Sequence, residues 1–356
     1  MTFEEAQDRA FKITLRDSAG QARKIIREYN LAFDQTSVAL KKLYADIKKL
    51  NITEAQYYNK LREINRLSKL GQEITEILDK RYGVIMSTVR TNSINSITNQ
   101  YYMQQFATAW FTKDILPFSF IPMKAVDVSV YYTDAVWEKI KDKEMAKSLA
   151  GLKPKWGNQK VTLKSLLLRN KKIQLDWIKS AISQGLIQGR SLNKTMKLLE
   201  DAFDKSKANA MRVVRTETIR NLNAGSFLNS QQVEKQGIKI NRMWSAVFDT
   251  RTRSQSASMD GQIADADGYF HYPNGAISQY PGGSGHAAYD VNERCGVHDV
   301  LPDSPPQLKR GYKPVVNPKT GKTERGKSEI MSYRTFPEWA KENNLVYKSS
   351  RWEIQK

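Results

Sequence analysis

The chain has 356 residues, with 57 Lys and Arg against 37 Asp and Glu and a single cysteine. Its length suits two domains or one elongated molecule of several parts, and its formal net charge of +20 points to a polyanionic partner such as nucleic acid. Lone Cys295 excludes an internal disulfide, the mixed, acidic start Met1–Glu5 does not read as a signal peptide, and the longest apolar runs, such as Leu166–Leu168, are too short for a membrane span, so a soluble protein made in a cytoplasm is expected.

From the N-terminus, apolar residues recur at helical spacing through Ala22, Ile25, Ile26, Tyr29, Phe33, Leu40, Leu43 and Ile47, predicting a helix over 21–50. Thr53 followed by Gln56 fits a capping box, so a second helix is expected from Glu54 until Gly83, and a third over 84–110. Long helices with short connections predict an antiparallel helical arm or bundle over 1–114. Two prolines in Ile115–Pro122 exclude regular helix there, and alternation in Val126–Tyr132 reads as a strand.

Charge is unevenly spread. Residues 116–220 carry 21 basic and 10 acidic groups, whereas residues 221–300 carry 6 and 8. Within a basic connecting segment at 115–160 and the helix that follows, Lys139, Lys141, Lys143, Lys147, Lys153, Lys155, Lys160, Lys164, Arg169, Lys171 and Lys172 are candidates for DNA contact, with Trp137 and Trp156 among them. A solvated basic face around two core tryptophans explains the same pattern. Helices are expected from 162 to 186, from Ser191 through Phe203, and over 207–235 up to Gly237, followed by a strand ending near Trp244. Residues 249–286 are rich in turn formers, and the prolines and lysines of 301–328 predict a basic linker before an amphipathic tail at Phe336–Ala340.

The most specific signal is a set of short motifs in fixed order: Ala208 and Arg215-Thr216-Glu217-Thr218 with Asn221 and Asn223, then Trp244, then Asp249-Thr250-Arg251-Thr252-Arg253, then Met259-Asp260-Gly261, then Asn292-Glu293-Arg294-Cys295. Arg215 and Glu217 lie on a helix where pairing can be buried, and Glu217, Asp249 and Asp260 are candidate acceptors for the planar forks of Arg251 and Arg253. An internally satisfied ion network that folds a loop-rich module is favoured over catalysis. This arrangement resembles the phage Mu F-like minor head proteins, also called phage head morphogenesis proteins. The resemblance places the module at 161–300. It departs from the family pattern at two positions: Ser256 stands where a His is usual, and Glu293 where the first Cys of Asn-Cys-Arg-Cys is usual.

The three histidines, His271, His286 and His298, fall close to Cys295, and Cys295-x-x-His298 has ligand-like spacing, so a structural zinc site is an alternative reading of these four residues. No Gly-rich phosphate loop, Gly-x-Ser-x-Gly or His-Glu-x-x-His motif occurs.

The expected fold is α+β and predominantly helical, a long N-terminal arm followed by a smaller loop-rich module and a linker and tail at 301–356. The resemblance implies a non-enzymatic component of a tailed-phage virion, inside the head near the portal. Its implied partners are the portal protein, scaffold or major capsid protein, and double-stranded DNA, with a role in assembly and genome delivery. A zinc-dependent hydrolase or toxin-like effector is the alternative, and a cellular DNA-binding protein a third.

Overall fold

The computed structural model describes residues 3–49, 53, 56, 66–112, 119–131, 140, 141, 143, 146, 149, 152, 163–302 and 306–355. Its elements are α1 (Phe3–Lys49), α2 (Arg66–Thr112), α3 (Met123–Tyr131), α4 (Leu163–Ile187), α5 (Leu192–Lys235), β1 (Asn241–Ser245), α6 (Ser254–Ser258), β2 (Phe270–His271), β3 (Ile277–Ser278), α7 (Ala287–Asp290), β4 (Gly296–Val300), β5 (Leu308–Val316), β6 (Thr323–Ser332), α8 (Phe336–Glu342), β7 (Leu345–Lys348) and β8 (Arg351–Ile354). The class is α+β and predominantly helical, as expected. Among the described residues, no helix is long and apolar enough to cross a membrane.

The chain does not pack along the linear divisions at 114, 160 and 300. One compact unit comprises 1–18, 93–161 and 215–356, and the other 19–92 and 162–214. The second unit is helical. Ile25, Tyr29 and Leu40 of α1, Ile74, Leu78 and Tyr82 of α2, Ile178 and Ile182 of α4, and Leu199 and Phe203 of α5 bury one apolar core. Within it the Tyr29 and Tyr82 hydroxyls meet at 2.7 Å, and Tyr44 joins Thr195 at 2.7 Å.

Helices are longer and fewer than the sequence punctuation suggests. α1 begins at Phe3 and carries Gly20 internally, and α2 runs through Gly83 without a break. The buried positions Leu78, Tyr82, Ile85 and Val89 keep helical phase across Gly83, so burial outweighs the cost of about 1 kcal/mol that glycine carries in a helix. The two helices expected over 191–203 and 207–235 are likewise one, α5. Thr53 and Gln56 do exchange the reciprocal bonds of a capping box, at 3.0 and 3.2 Å, while residues 57–65 lie outside the described residues. Gly189 and Gly237, at φ +58° and +85°, end α4 and α5. At each, the amide after the glycine reaches back to a carbonyl five residues earlier, Arg190 to Gly185 and Ile238 to Val233, which satisfies the last turn.

The strand expected at 126–132 is instead helix α3, whose first amides, from Ala125 and Val126, donate to the Pro122 carbonyl. Ala125, Val126, Val128, Ser129 and Val130 are all buried, and a short helix covered on most sides displays no stripe to betray its period.

In the first unit β1 pairs antiparallel with β4, setting Trp244 opposite Val297. The expected linker at 301–328 is largely an antiparallel ribbon of β5 and β6. Its prolines do not oppose this: Pro314 follows a shift in register after Tyr312, and Pro318 lies in the connecting turn. Helix α8 opens with a capping box between Thr335 and Glu338, and Phe336 and Trp339 pack with Phe248 in the core.

Candidate functional site

Helix α5 carries the first motif, and one buried face of it staples later loops in place. Thr216 Oγ1 accepts the Asn292 amide at 3.0 Å, and Asn223 Nδ2 donates to the carbonyls of Pro281 and Cys295 at 3.1 and 2.9 Å. Asn292 sits at φ +55°, a conformation that asparagine tolerates better than most residues. Glu217 is met neither by Arg251 nor by Arg253 but by Arg220, one turn on, which faces inward, while Arg215 is exposed. Arg220 Nη2 donates to Glu217 Oε2 at 2.9 Å and to the Ser129 carbonyl at 2.6 Å, both side chains being under 5 % exposed. Ser129 Oγ in turn donates to Asn221 Oδ1 at 2.8 Å. Burial works against the Arg220 charge, but Glu217 and Tyr280 outweigh it and raise its pKa. The spacing already favours Arg220, which lies three residues from Glu217 on one helix face, whereas Arg215, two residues away, points elsewhere.

A second centre is fully buried Asp249. Arg294 grips it with two parallel bonds, Nη1 to Oδ2 at 2.6 Å and Nη2 to Oδ1 at 2.8 Å, and the Arg251 amide adds a third at 2.9 Å. Burial would raise this carboxyl, yet the Arg294 bonds and charge prevail and hold it below the usual range. Arg251 itself only approaches, its guanidinium 3.7 Å from Asp249. Arg253 turns instead to Glu293 Oε2 at 2.8 Å and to backbone carbonyls of Ala288 and Tyr289.

Glu293 is the hub of the third centre. Its Oε1 accepts the amides of Arg294 and Cys295 at 2.6 and 2.9 Å, and its Oε2 also accepts Ser256 Oγ at 3.0 Å. The two positions that depart from the family pattern, Ser256 and Glu293, are therefore bonded to each other. Asp260 forms the fourth centre, accepting from the Ala246 amide at 2.6 Å, Lys309 Nζ at 2.9 Å and the Phe336 amide at 2.8 Å. Buried Lys309, from the segment expected to be linker, is thus a network residue that sequence reasoning does not find. Gly261 beside it adopts φ +82°, which a side chain would strain.

Trp244 is fully buried, edge-on to Phe270 and Tyr272 at 5.3 and 5.6 Å. The Cys295 thiol is pushed well up by burial and by the Glu293 charge, the reverse of what activates a nucleophilic cysteine.

The zinc alternative gains no geometry. Among the described residues, no three His, Cys, Asp or Glu side chains gather as metal ligands. His271 and His286 are exposed, His271 paired with Asp265, and the alternation of β4 buries Cys295 while His298 falls on the other face. Of the lysine candidates, Lys139, Lys147, Lys153, Lys155 and Lys160 lie outside the described residues. Lys141, Lys143, Lys164, Arg169 and Lys172 are exposed, and Lys171 is paired with Asp79.

Asp299, next to His298, is buried and accepts Ser230 Oγ at 2.5 Å, while Gln7 of α1 clamps its backbone amide and carbonyl at 2.8 and 2.7 Å. Burial pushes this carboxyl up to about 7, against the pull of Ser230 and Arg242. The folded state then holds a proton that the unfolded chain releases near pH 4, so this group costs stability increasingly between about pH 4 and 7. His298, lowered to about 4 mainly by burial, acts oppositely, adding stability as pH rises from about 4 to 6.5. Asp299→Asn is expected to melt like the parent at pH 4 and several degrees higher at pH 8. A melting difference that does not grow with pH would refute the assignment.

Residues 176–297, which carry most of this network, match the family model described as Phage Mu protein F like protein. The chain is 29% identical over 182 residues to Minor head protein GP7 of Bacillus phage SPP1, covering 51% of this chain and 56% of that one. It is also 22% identical over 277 residues to NAD(+)--arginine ADP-ribosyltransferase EFV of Enterococcus faecalis, covering 78% of this chain and 49% of that one. The chain thus spans about half the length of the curated relatives it matches. No solved structure matches it. Through the segment that carries most of the acid and arginine network, the chain is thus similar to the phage Mu F-like head morphogenesis family.

Proposed function

We propose that this chain is a minor head protein of a tailed bacteriophage, made in the host cytoplasm and held inside the head, where it assists assembly beside the portal and touches the genome through phosphates. The observation that carries this reading is the coincidence of the family segment with a self-satisfied polar network. Glu217, Asp249, Asp260 and Glu293 are buried against Arg220, Arg294, Lys309 and Arg253, an arrangement that fixes a fold and presents no activated nucleophile. The formal charge of +20 supports proximity to DNA, and association with portal, scaffold or major capsid protein is the corresponding role in assembly. Release with the DNA during infection belongs to the same reading.

Two measurements test it. Mass spectrometry of purified mature particles is expected to find the chain inside nuclease-treated, intact heads; its absence from them would end the proposal. Binding to duplex DNA is expected to weaken steeply with added salt and to show little sequence preference.

One observation favours a second reading, an effector-type protein: the likeness to a chain named as an ADP-ribosyltransferase. Incubation with labelled NAD+ and an arginine-containing acceptor protein is expected to transfer no label, and transfer would replace the structural reading with the enzymatic one.

A further inference from the structure

Three arginines from separate parts of the chain converge on Asp249. Arg294 spends its fork on the carboxylate, at 2.6 and 2.8 Å. Arg251, from the loop after β1, and Arg325, from β6, stand off at 3.7 and 4.0 Å. The carboxylate is fully buried, whereas the side chains of Arg251 and Arg325 are 58 and 43 % exposed. Three positive charges against one negative leave a local excess of two at a solvent-facing surface. Such an excess around an already satisfied carboxylate is not needed to hold Asp249 and suits a second anion.

The cluster is also held in shape. Trp352 donates its backbone amide to the Thr250 carbonyl at 2.9 Å and its indole N–H to the Thr252 carbonyl at 2.8 Å, pinning the loop that carries Arg251. Arg325 lies over the Tyr312 ring at 4.2 Å. Guanidinium groups fixed in this way lose less freedom on binding than lysines on an open helix face.

From this point the β5–β6 ribbon extends, exposed along most of β6. Its ten-residue strand is about 30 Å long, and Lys313, Lys319, Lys322 and Lys327 are exposed along it, against Glu324 and Glu329. The Asn317 side chain accepts the Lys319 and Thr320 amides at 2.9 and 3.3 Å, which gives the basic tip a fixed turn. A two-stranded ribbon has the width of the DNA major groove.

We propose that Arg251 and Arg325, set on the Asp249–Arg294 pair, form a phosphodiester-binding site, and that the ribbon above them carries the main contact with double-stranded DNA. This rests on the DNA reading above and names its surface, placing it on the ribbon and not on α4. The site grips backbone phosphates without reading bases.

The test uses the full chain and a short fluorescein-labelled DNA duplex, with anisotropy titrations across a KCl series. Each phosphate that a variant no longer neutralises lowers the slope of log affinity against log salt by about 0.9. R251Q/R325Q is expected to lower that slope by about 2, with an unchanged thermal melt because both side chains are exposed. K319Q/K322Q at the ribbon tip, where both side chains are exposed, is expected to lower it similarly and serves if the arginine variant misfolds. K164Q/K172Q on α4 is expected to leave the slope unchanged. If both ribbon variants keep the parental slope while K164Q/K172Q lowers it, the ribbon site is overturned and DNA binding stands. If the parent chain shows no salt-sensitive binding to the duplex, both fall together.

Discussion

Arg220→Met is expected to destabilise the unit that contains it by about 3–5 kcal/mol, the usual result of removing one partner from a buried ion pair. The guanidinium meets Glu217 twice and the Ser129 carbonyl and hydroxyl, so its loss strands a buried carboxylate and a buried carbonyl together. For a unit of this size, each kcal/mol moves the melting midpoint by roughly 2–4 °C, giving a fall on the order of 10 °C. The partner test is Glu217→Leu combined with Arg220→Met. Removing both charges removes the uncompensated one, so the double variant should be more stable than Arg220→Met alone. Urea denaturation of the parent, both single variants and the double variant yields the coupling energy. A cost for Arg220→Met below about 1 kcal/mol would place this pair with exposed salt bridges and deny it a structural role.

That prediction turns on a residue that the motifs alone pass over, and the reason is physical. Of the motif residues, Thr216, Glu217, Asp249, Asp260, Glu293 and Cys295 are buried in separate polar centres, although the sequence marks Glu293 only as a departure from the family pattern. Which arginine answers which acid depends on tertiary direction. On α5, the i,i+3 spacing allows Arg220 and not Arg215 to reach Glu217, and α3 completes the choice by offering the Ser129 carbonyl to the same guanidinium. Lys309 is hidden for a different reason. Its surroundings, Pro306 and Pro314 among basic residues, read as linker, and the alternation of β5 that buries it against Asp260 is interrupted by the register shift. α3 misleads through alternation of Val126, Val128 and Val130, which fits a strand as well as a helix covered on most sides. The histidine cluster misleads through proximity along the chain, because a strand sends residues three apart to opposite faces. Long amphipathic helices, by contrast, are legible nearly throughout, and the errors there come from Gly20 and Gly83 treated as breaks and from a division of α5 between Phe203 and Lys207.

Two helix glycines, Gly225 of α5 and Gly83 of α2, support a paired experiment in which one type of substitution has opposite effects. A Cβ built on Gly225 of α5 would lie 2.5 Å from the Ile97 carbonyl oxygen and 3.1 Å from both Gln100 Cβ and the Tyr101 amide nitrogen of α2. The clash is with backbone, which no rotamer change relieves, so one helix must back away from the other. That separation also strains the bond from Gln100 Nε2 to Ser226 Oγ, now 3.1 Å. Gly225→Ala is therefore expected to cost about 3 kcal/mol, at the upper end for overpacking, despite the better helix propensity of alanine. Gly83 of α2 has no atom within 4 Å of the same constructed Cβ and a helical backbone. There Gly83→Ala should stabilise by about 0.5–1 kcal/mol, chiefly by restricting the unfolded chain. Urea denaturation of the two variants separates the effects, since propensity alone raises both midpoints and close helix approach lowers only one. If Gly225→Ala raised the midpoint as Gly83→Ala does, the packing of α5 on α2 would have to be looser than described. The seating of Asn221 and Asn223, within about one turn on the same helix, would then lose its support.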